Sequence, residues 1–500
     1  MQNTDNLRLE RRIQEEIEKL LLITEGYACS TAPAHTIEKG LFRQLLELGK
    51  TLLLYIFNTR ISQLRVQGAP QRDGEVLRYK GNESRQYLSL FGLLEIVRPS
   101  YWSKELGKVH PTDGELSLPL SHNCSNTIED LVGETAAECD YKESVTVLNK
   151  LLELGLSGKS SARNSEHIGK EVENYYATKR VAPSERADCF SASFDGKGVP
   201  KIKPKVENTI AENPKKRLGK GEKKGIMEMA TVSVTSSFTP KKRSTDSIIR
   251  SLMGSPLSKV VSDEDKLKAL DKDKQDNKWH KNIHRRAFLA DQNKSVVYGL
   301  NWIKSRMVNA ESRFVVPIDA GIGLEEKVLA WVKENEMDKQ FDGIILDIIH
   351  VSEYVWDAAT AIFGEKSRSK STWVRGVLTD LLNSKTDKVI ADLKRIKTKT
   401  DLSESKQKQV EKTITYFTNH QHKMDYKTFI EKGYPVSSAL VEAACGHLVK
   451  ERLEQSGMRW SSKGAQNIMD IRALKLNGDM AEFMEFRIKK EQSLAFRYAA

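Results

Sequence analysis

Residues 312–359 read "SRFVVPIDAGIGLEEKVLAWVKENEMDKQFDGIILDIIHVSEYVWDAA", and this stretch decides the fold. It opens with an apolar run short enough for a buried strand and places an acid, Asp319, at the carboxyl end of that run. Two glycines follow, then an amphipathic pattern that predicts a helix. A second apolar strand, "FDGIIL", carries Asp347 and His350 into another helix. Strand, helix and strand in this order predict a parallel pair, and α/β sheets build their sites at the carboxyl ends of such strands.

Upstream, "SASFDGKGVPKIKP" (191–204) ends a short alternating run in Asp195 and continues at once with Gly196, Lys197 and Gly198. Asp-Gly is a strong hairpin signal, so Asp195 reads either as a turn residue or as a carboxylate held out for chemistry. With "ASFD" as a first strand, "GVPKIK" as its hairpin partner and "MATVSVTSSF" as a third, the order runs through a long helix ending near Ala310 to the strand ending at Asp319. Three antiparallel strands, a helix and then parallel strands is the ribonuclease-H-like order. It sets Asp195 on a central strand beside the one that ends in Asp319.

Two carboxylates so placed repel and raise one another's pKa unless a cation lies between them. Magnesium suits one or two carboxylates with water and substrate phosphate, and a pair of ions about 4 Å apart serves phosphoryl transfer. A third acid is therefore expected. "GYPVSSALVEAACGHLVKERLEQSGMRW" (433–460) offers Glu442, in a helix opened by Pro435 and a Ser437/Ser438 cap, with Leu440, Ala444 and Leu448 on one face. Ala443, Ala444 and Gly446 around it are small enough to admit a metal and a DNA backbone. A lone helical glutamate is otherwise an ordinary surface residue.

The rest of the chain frames these motifs. Lysine and arginine outnumber acids by 80 to 68 over 500 residues, a formal net charge of +12 that favours a polyanionic partner. The five cysteines form no CxxC or Cys/His spacing, which argues against a disulfide framework and a structural zinc. No apolar run reaches the roughly 20 residues of a membrane span, so the expected place is the cytoplasm, without membrane contact. "NLRLERRIQEEIEKLLLI" and the run that follows predict scaffold or oligomerisation helices, and 77–102 a pair of strands with basic and aromatic residues interleaved. Residues 144–176 read as helix, glycine turn and helix, with Lys159 and Arg163 where a recognition helix would begin; a helical hairpin without DNA contact fits equally. His280 and His284, four apart on the expected long helix, read as surface residues in preference to metal ligands. Trp373 and Trp460 read as core residues or as platforms for an unpaired base.

Asp195-Gly196-Lys197-Gly198-Val199-Pro200, "LDIIHVSEYVW" and "VEAACGHLVKERLEQSGMRWSSKGAQNIMDIRAL" together resemble the signature segments of bacterial insertion-sequence transposases of the ISKra type, in the DDE class. The resemblance runs, with gaps, over about residues 80–480. It departs from the family pattern where Ser437 and Ala439 replace glycines expected before the third acid.

The resemblance implies an α/β fold: a ribonuclease-H-like mixed five-stranded sheet with a helical insertion, preceded by a mainly helical DNA-binding region. The implied division is a helical segment at 1–75, a β-hairpin and helix-turn-helix-like region at 76–185, and the catalytic domain at 186–365 and 433–476. The insertion occupies 366–432, and a C-terminal helix or tail 477–500.

It also implies a catalytic, metal-holding set of Asp195, Asp319 and Glu442, with Asp347 and His350 as accessory groups or Asp347 as the alternative second acid. Two Mg2+ or Mn2+ ions, double-stranded DNA (terminal inverted repeats and target) and a homodimer or larger assembly follow, in a cytoplasmic, nucleoid-associated setting. Lys197, Lys201, Lys203, Lys205, Lys215, Lys216, Arg217, Lys220, Lys159, Arg163, Arg459 and Trp460 are the expected DNA contacts. The implied reaction is cleavage of the element's ends and transfer of the freed 3'-hydroxyl to a target strand. A catalytically inactive DNA-binding derivative and a metal-dependent structure-specific nuclease are the alternatives.

Overall fold

The structure, a computed structural model, describes residues 2–66, 71–72, 75–105, 107–202, 226–253, 279–321, 323–399 and 402–494. They form two compact units: 1–178 with 470–500, and 179–469.

The first unit begins with two long helices, α1 (Gln2–Ala28) and α2 (Ala34–Val66). Polar contacts tie them into a hairpin, among them Gln44 to Glu16 at 2.6 Å and the Tyr55 hydroxyl to Glu10 at 3.0 Å. Strands β1 (Arg78–Ser89) and β2 (Gly92–Ser103) pair antiparallel, and β2 pairs with the short β3 (Gly107–Val109). On one face of β2, Leu94 and Ile96 alternate inward and bury against Phe57 and Ile61 of α2. Arg85 and Arg98 leave their strands to share the buried Asp113, at 2.7 and 2.6 Å. Helices α3 (Asn126–Glu138), α4 (Tyr141–Leu152) and α5 (Gly158–Thr178) follow, with Ser125 and Asp140 side chains capping the first two.

The second unit is built on a five-stranded mixed sheet. Its strands are β4 (Cys189–Pro200), β5 (Met227–Phe238), β6 (His280–Leu289), β7 (Arg313–Ile318) and β8 (Phe341–Leu346). Their order across the sheet is β8-β7-β4-β5-β6. β8, β7 and β4 are parallel; β4, β5 and β6 are antiparallel. Helix α6 (Thr245–Met253) follows β5, and alternation along β7 sends Phe314, Val316 and Ile318 to one face, where they meet Val296 and Leu300 of α7 (Gln292–Lys304) and Val328 and Trp331 of α8 (Leu324–Glu334). Val315 points to the other face, into a core shared with α9 (Ile348–Phe363) and the helices at 369–382, 386–399, 404–420 and 426–432. Among the described residues no helix is long and apolar enough to cross a membrane.

Two expectations require correction. Asp195-Gly196 is not a hairpin turn: β4 runs straight through it, pairing Asp195 with Val232, Gly196 with Thr231 and Lys197 with Ala230. A tight primed turn needs left-handed φ, and neither Gly196 nor Gly198 has a positive φ; the long β5 carries the ladder on instead. "GVPKIK" is thus the end of the first strand, not its partner. The expected long helix before Ala310 is a strand followed by a shorter helix, so His280 and His284 lie on β6. His284 is buried there, stacked on Trp302 at 3.6 Å and bonded to the Tyr298 hydroxyl at 2.8 Å. The third antiparallel strand is therefore β6, and all three precede α7 as the expected order requires.

Candidate metal centre

Four elements deliver acids to one end of the sheet. Asp195 lies midway along β4, where the strand passes from fully buried residues to partly exposed ones. Gly196 N–H donates to its Oδ1 at 2.6 Å. Asp319 directly follows β7, and Gly321 N–H donates to its Oδ1 at 2.8 Å. A side chain at Gly321 would meet that same oxygen at 2.8 Å, so this close wrap of the loop around the carboxylate depends on glycine.

Asp347 follows β8 and caps α9, its Oδ1 accepting from Ile349 N–H at 2.9 Å. Its own N–H donates to Ile318 O at 2.8 Å, which holds the ends of the two parallel strands together. The next residue, Ile348, donates its N–H to Val436 O at 3.1 Å and so anchors the segment leading to Glu442. That anchoring explains Ser438. Its position suggests a helix cap, yet its side chain caps nothing and donates to Asp347 Oδ2 at 2.5 Å.

Glu442 sits in the first turns of the helix Ala439–Ala444, which continues as a π-helical segment, Cys445–Lys450. A π segment rotates the following side chains relative to an α-helix and recurs at functional sites. His350, one turn into α9, lies between two acids, with Nε2 3.3 Å from Glu442 Oε1 and Nδ1 3.3 Å from Glu353 Oε2. Asp347, His350 and Glu442 each present a donor atom within 4.8 Å of the others. Asp195 and Asp319 join this group through charge: Asp319 raises the pKa of Asp195, and Asp195 raises that of Glu442.

The carboxyl groups are short of positive charge. Burial raises the pKa of Asp195, and Asp319 adds to the effect despite hydrogen bonds from Cys445 and Gly196. Burial likewise raises Asp347 against the bonds from Ser438 and Ile349. Glu442 is raised by burial and then by Asp347. For His350 burial works downward, but the carboxylates of Asp347, Glu353 and Glu442 outweigh it and favour the imidazolium. Among the described residues no lysine or arginine pairs with Asp195, Asp319, Asp347 or Glu442. Hard oxygen donors, partly buried and under-neutralised, fit a divalent cation such as Mg2+ or Mn2+.

The expected DNA contacts are distributed more widely. Lys159 and Arg163 are exposed on the first turns of α5. Lys197 is half-buried, 3.9 Å from Glu454. Lys201 is held by Glu228 and Ser462. Trp460 is buried, its indole N–H donating to Leu453 O at 3.1 Å, and Arg459 beside it donates to Met458 O at 3.4 Å. Trp373 packs at 5.9 Å from Phe363. Lys203, Lys205, Lys215, Lys216, Arg217 and Lys220 lie outside the described residues.

Sequence reasoning missed Ser438 as a partner of Asp347 and Cys445 as a partner of Asp195. The spacing from Ser438 to Glu442, one helical turn, was the available signal for the first; nothing in the sequence pointed to the second.

No family model matches the chain, and no curated protein matches it. Among solved structures, the chain is similar to the Drosophila P element transposase strand transfer complex at 9% identity. That alignment covers 74% of this chain and 82% of the other, with a TM-score of 0.23, a level that does not establish a shared fold.

Proposed function

We propose that the protein is a DNA transposase of the DDE class, with a ribonuclease-H-like catalytic domain of the ISKra type. The observation that supports it most is the gathering of acids and a histidine from positions 195, 319, 347, 350 and 442 at one end of a mixed sheet, with the carboxyl pKa values of Asp195, Asp347 and Glu442 raised. Residues so far apart in sequence and so poorly neutralised form a costly arrangement unless a cation completes it.

In this reading Asp195, Asp319 and Glu442 would hold two divalent ions. When bound, the ions supply the charge that activates an attacking oxygen and stabilises a leaving one in phosphoryl transfer. Asp347 and Ser438 fix the junction between β8, α9 and the Glu442 helix. His350 orients the Glu442 carboxylate and holds a proton between it and Glu353. Lys159 and Arg163 meet phosphates at the start of α5, and Lys197 does so beside the centre, which makes binding strongly dependent on salt. The substrates are the ends of the mobile element and a target duplex, brought together by a dimer or larger assembly.

The test incubates purified protein and Mg2+ with labelled DNA carrying the sequences that flank its gene, together with a target plasmid. Joined product is expected. Cutting without joining would replace this reading with a nuclease, and binding without cutting would leave a DNA-binding protein.

A further inference from the structure

A second convergence of metal-ligating side chains lies in the first unit and has no part in the chemistry proposed above. Glu129, in the first turn of α3, is fully buried. Its two oxygens are divided between different partners. Oε2 receives Arg487 at 3.0 Å, while Oε1 faces two imidazoles, His122 Nε2 at 3.3 Å and His167 Nδ1 at 3.2 Å. His122 comes from the loop before α3 and His167 from the middle of α5.

The His122 side chain is only 9% exposed. Among the described residues neither of its ring nitrogens makes a hydrogen bond of acceptable geometry. A buried imidazole with no hydrogen bond, aimed at a buried carboxylate, leaves a polar group unsatisfied, which costs stability. A second imidazolium offers no remedy, because the two rings are stacked with centroids 4.8 Å apart and two positive charges there would repel.

A metal ion resolves all of these conditions. It takes neutral imidazoles, and it accepts one oxygen of a carboxylate whose other oxygen is held by a second group. Tetrahedral zinc with bonds of about 2.0–2.1 Å separates its ligand atoms by about 3.3 Å. The spacings from Glu129 Oε1 to His122 Nε2 and His167 Nδ1 are 3.3 and 3.2 Å.

We propose that His122 Nε2, Glu129 Oε1 and His167 Nδ1 form a zinc site, completed by water, that fastens the loop before α3 to α3 and α5. Arg487 holds the carboxylate from its far side. The site is structural: its carboxylate is fully buried and His122 nearly so, and it ties together the helices that include α5, whose exposed start carries Lys159 and Arg163.

The experiment uses the full chain, dialysed against a weak chelator, with bound metal measured by mass spectrometry. The expected result is about one zinc per chain, retained in Asp195→Asn and lost in His122→Asn and His167→Asn. Cobalt substitution should give the strong visible absorption of a four-coordinate site in the wild type and in Asp195→Asn, and not in the two histidine variants. Should a histidine variant fail to fold, zinc added to the metal-free wild type against a chromogenic chelator gives the answer directly. Saturable binding of about one equivalent, with a rise in melting temperature, supports the site. Failure to bind zinc, or full retention of zinc by a folded His122→Asn protein, overturns it. Because Asp195→Asn removes the other centre, this outcome is independent of whether the protein cuts DNA.

Discussion

Glu129 in the first unit, fully buried, and Glu442 in the second, only partly buried, each lie beside histidine, and their surroundings push them in opposite directions. Burial alone would raise Glu129, yet His122, His167 and Arg487 together hold it down at about 2. Burial raises Glu442 as well, and there Asp347 and Asp195 add to the rise while His350 alone opposes it. The same residue types therefore produce a carboxylate that is ionised throughout the neutral range and a set of carboxyl groups that repel one another. The first condition stabilises a fold. The second leaves more charge unbalanced: Arg487 already meets one oxygen of Glu129 before any zinc binds, whereas Glu442 has only His350.

The largest expected difference is in activity. Asp195→Asn and Glu442→Gln should each lower DNA cleavage by roughly 10³-fold or more, as removal of one member of a catalytic set does. Melting temperature should stay the same or rise, because each change removes a repelled charge. A loss of fold in either variant would erase the contrast with Glu129.

Next comes Arg487→Met, which leaves Glu129 buried with less compensation and should cost about 3–5 kcal/mol in chemical denaturation. The companion change Glu129→Gln should recover much of that loss. Since the folded pKa of Glu129 is depressed from 4.5 to about 2, its contribution is present above pH 4.5 and is lost as pH falls toward 2. A denaturation series between those limits should show the loss in the wild type and not in Glu129→Gln.

Smaller effects sharpen the other side. His350→Ala should reduce cleavage by about 10–100-fold, the usual range for a group that orients a metal ligand. Asp195, Asp347 and Glu442 have raised folded pKa values, so without metal they favour the fold at low pH and oppose it as pH climbs through those values. Mg2+ should accordingly raise the melting temperature more at pH 8 than at pH 5, as followed by scanning calorimetry. Ser438→Ala, which removes one bond to Asp347, should cost about 1 kcal/mol and only a few-fold in rate.

The sequence exposed those parts of the second unit that depend on local pattern. The apolar runs ending in Asp319 and Asp347 had the length and flanking glycines of parallel strands, and the structure pairs them so. Asp195-Gly196 carried a turn signal that the ladder with β5 overrides, because pairing continuously from Phe190 to Pro200 outweighs a dipeptide preference. "HKNIHRRAFL" was hidden by its charge: the buried face of β6 includes His284 and Arg286, which aromatic packing makes tolerable. Ser438 was misassigned because a helix cap and a ligand to Asp347 use the same hydroxyl. The group around Glu129 was invisible, since residues 122, 129 and 167 meet only after α3 and α5 pack, and no spacing rule anticipates that.

The most direct test of the central claim is a count of Mn2+ ions bound to the full chain by electron paramagnetic resonance, in the wild type, Asp195→Asn and Glu442→Gln. Two ions per wild-type chain, with binding weakened at least about tenfold by either substitution, is the result expected of acids that converge to hold a cation pair. Equal binding in all three proteins, or none in the wild type, would contradict it.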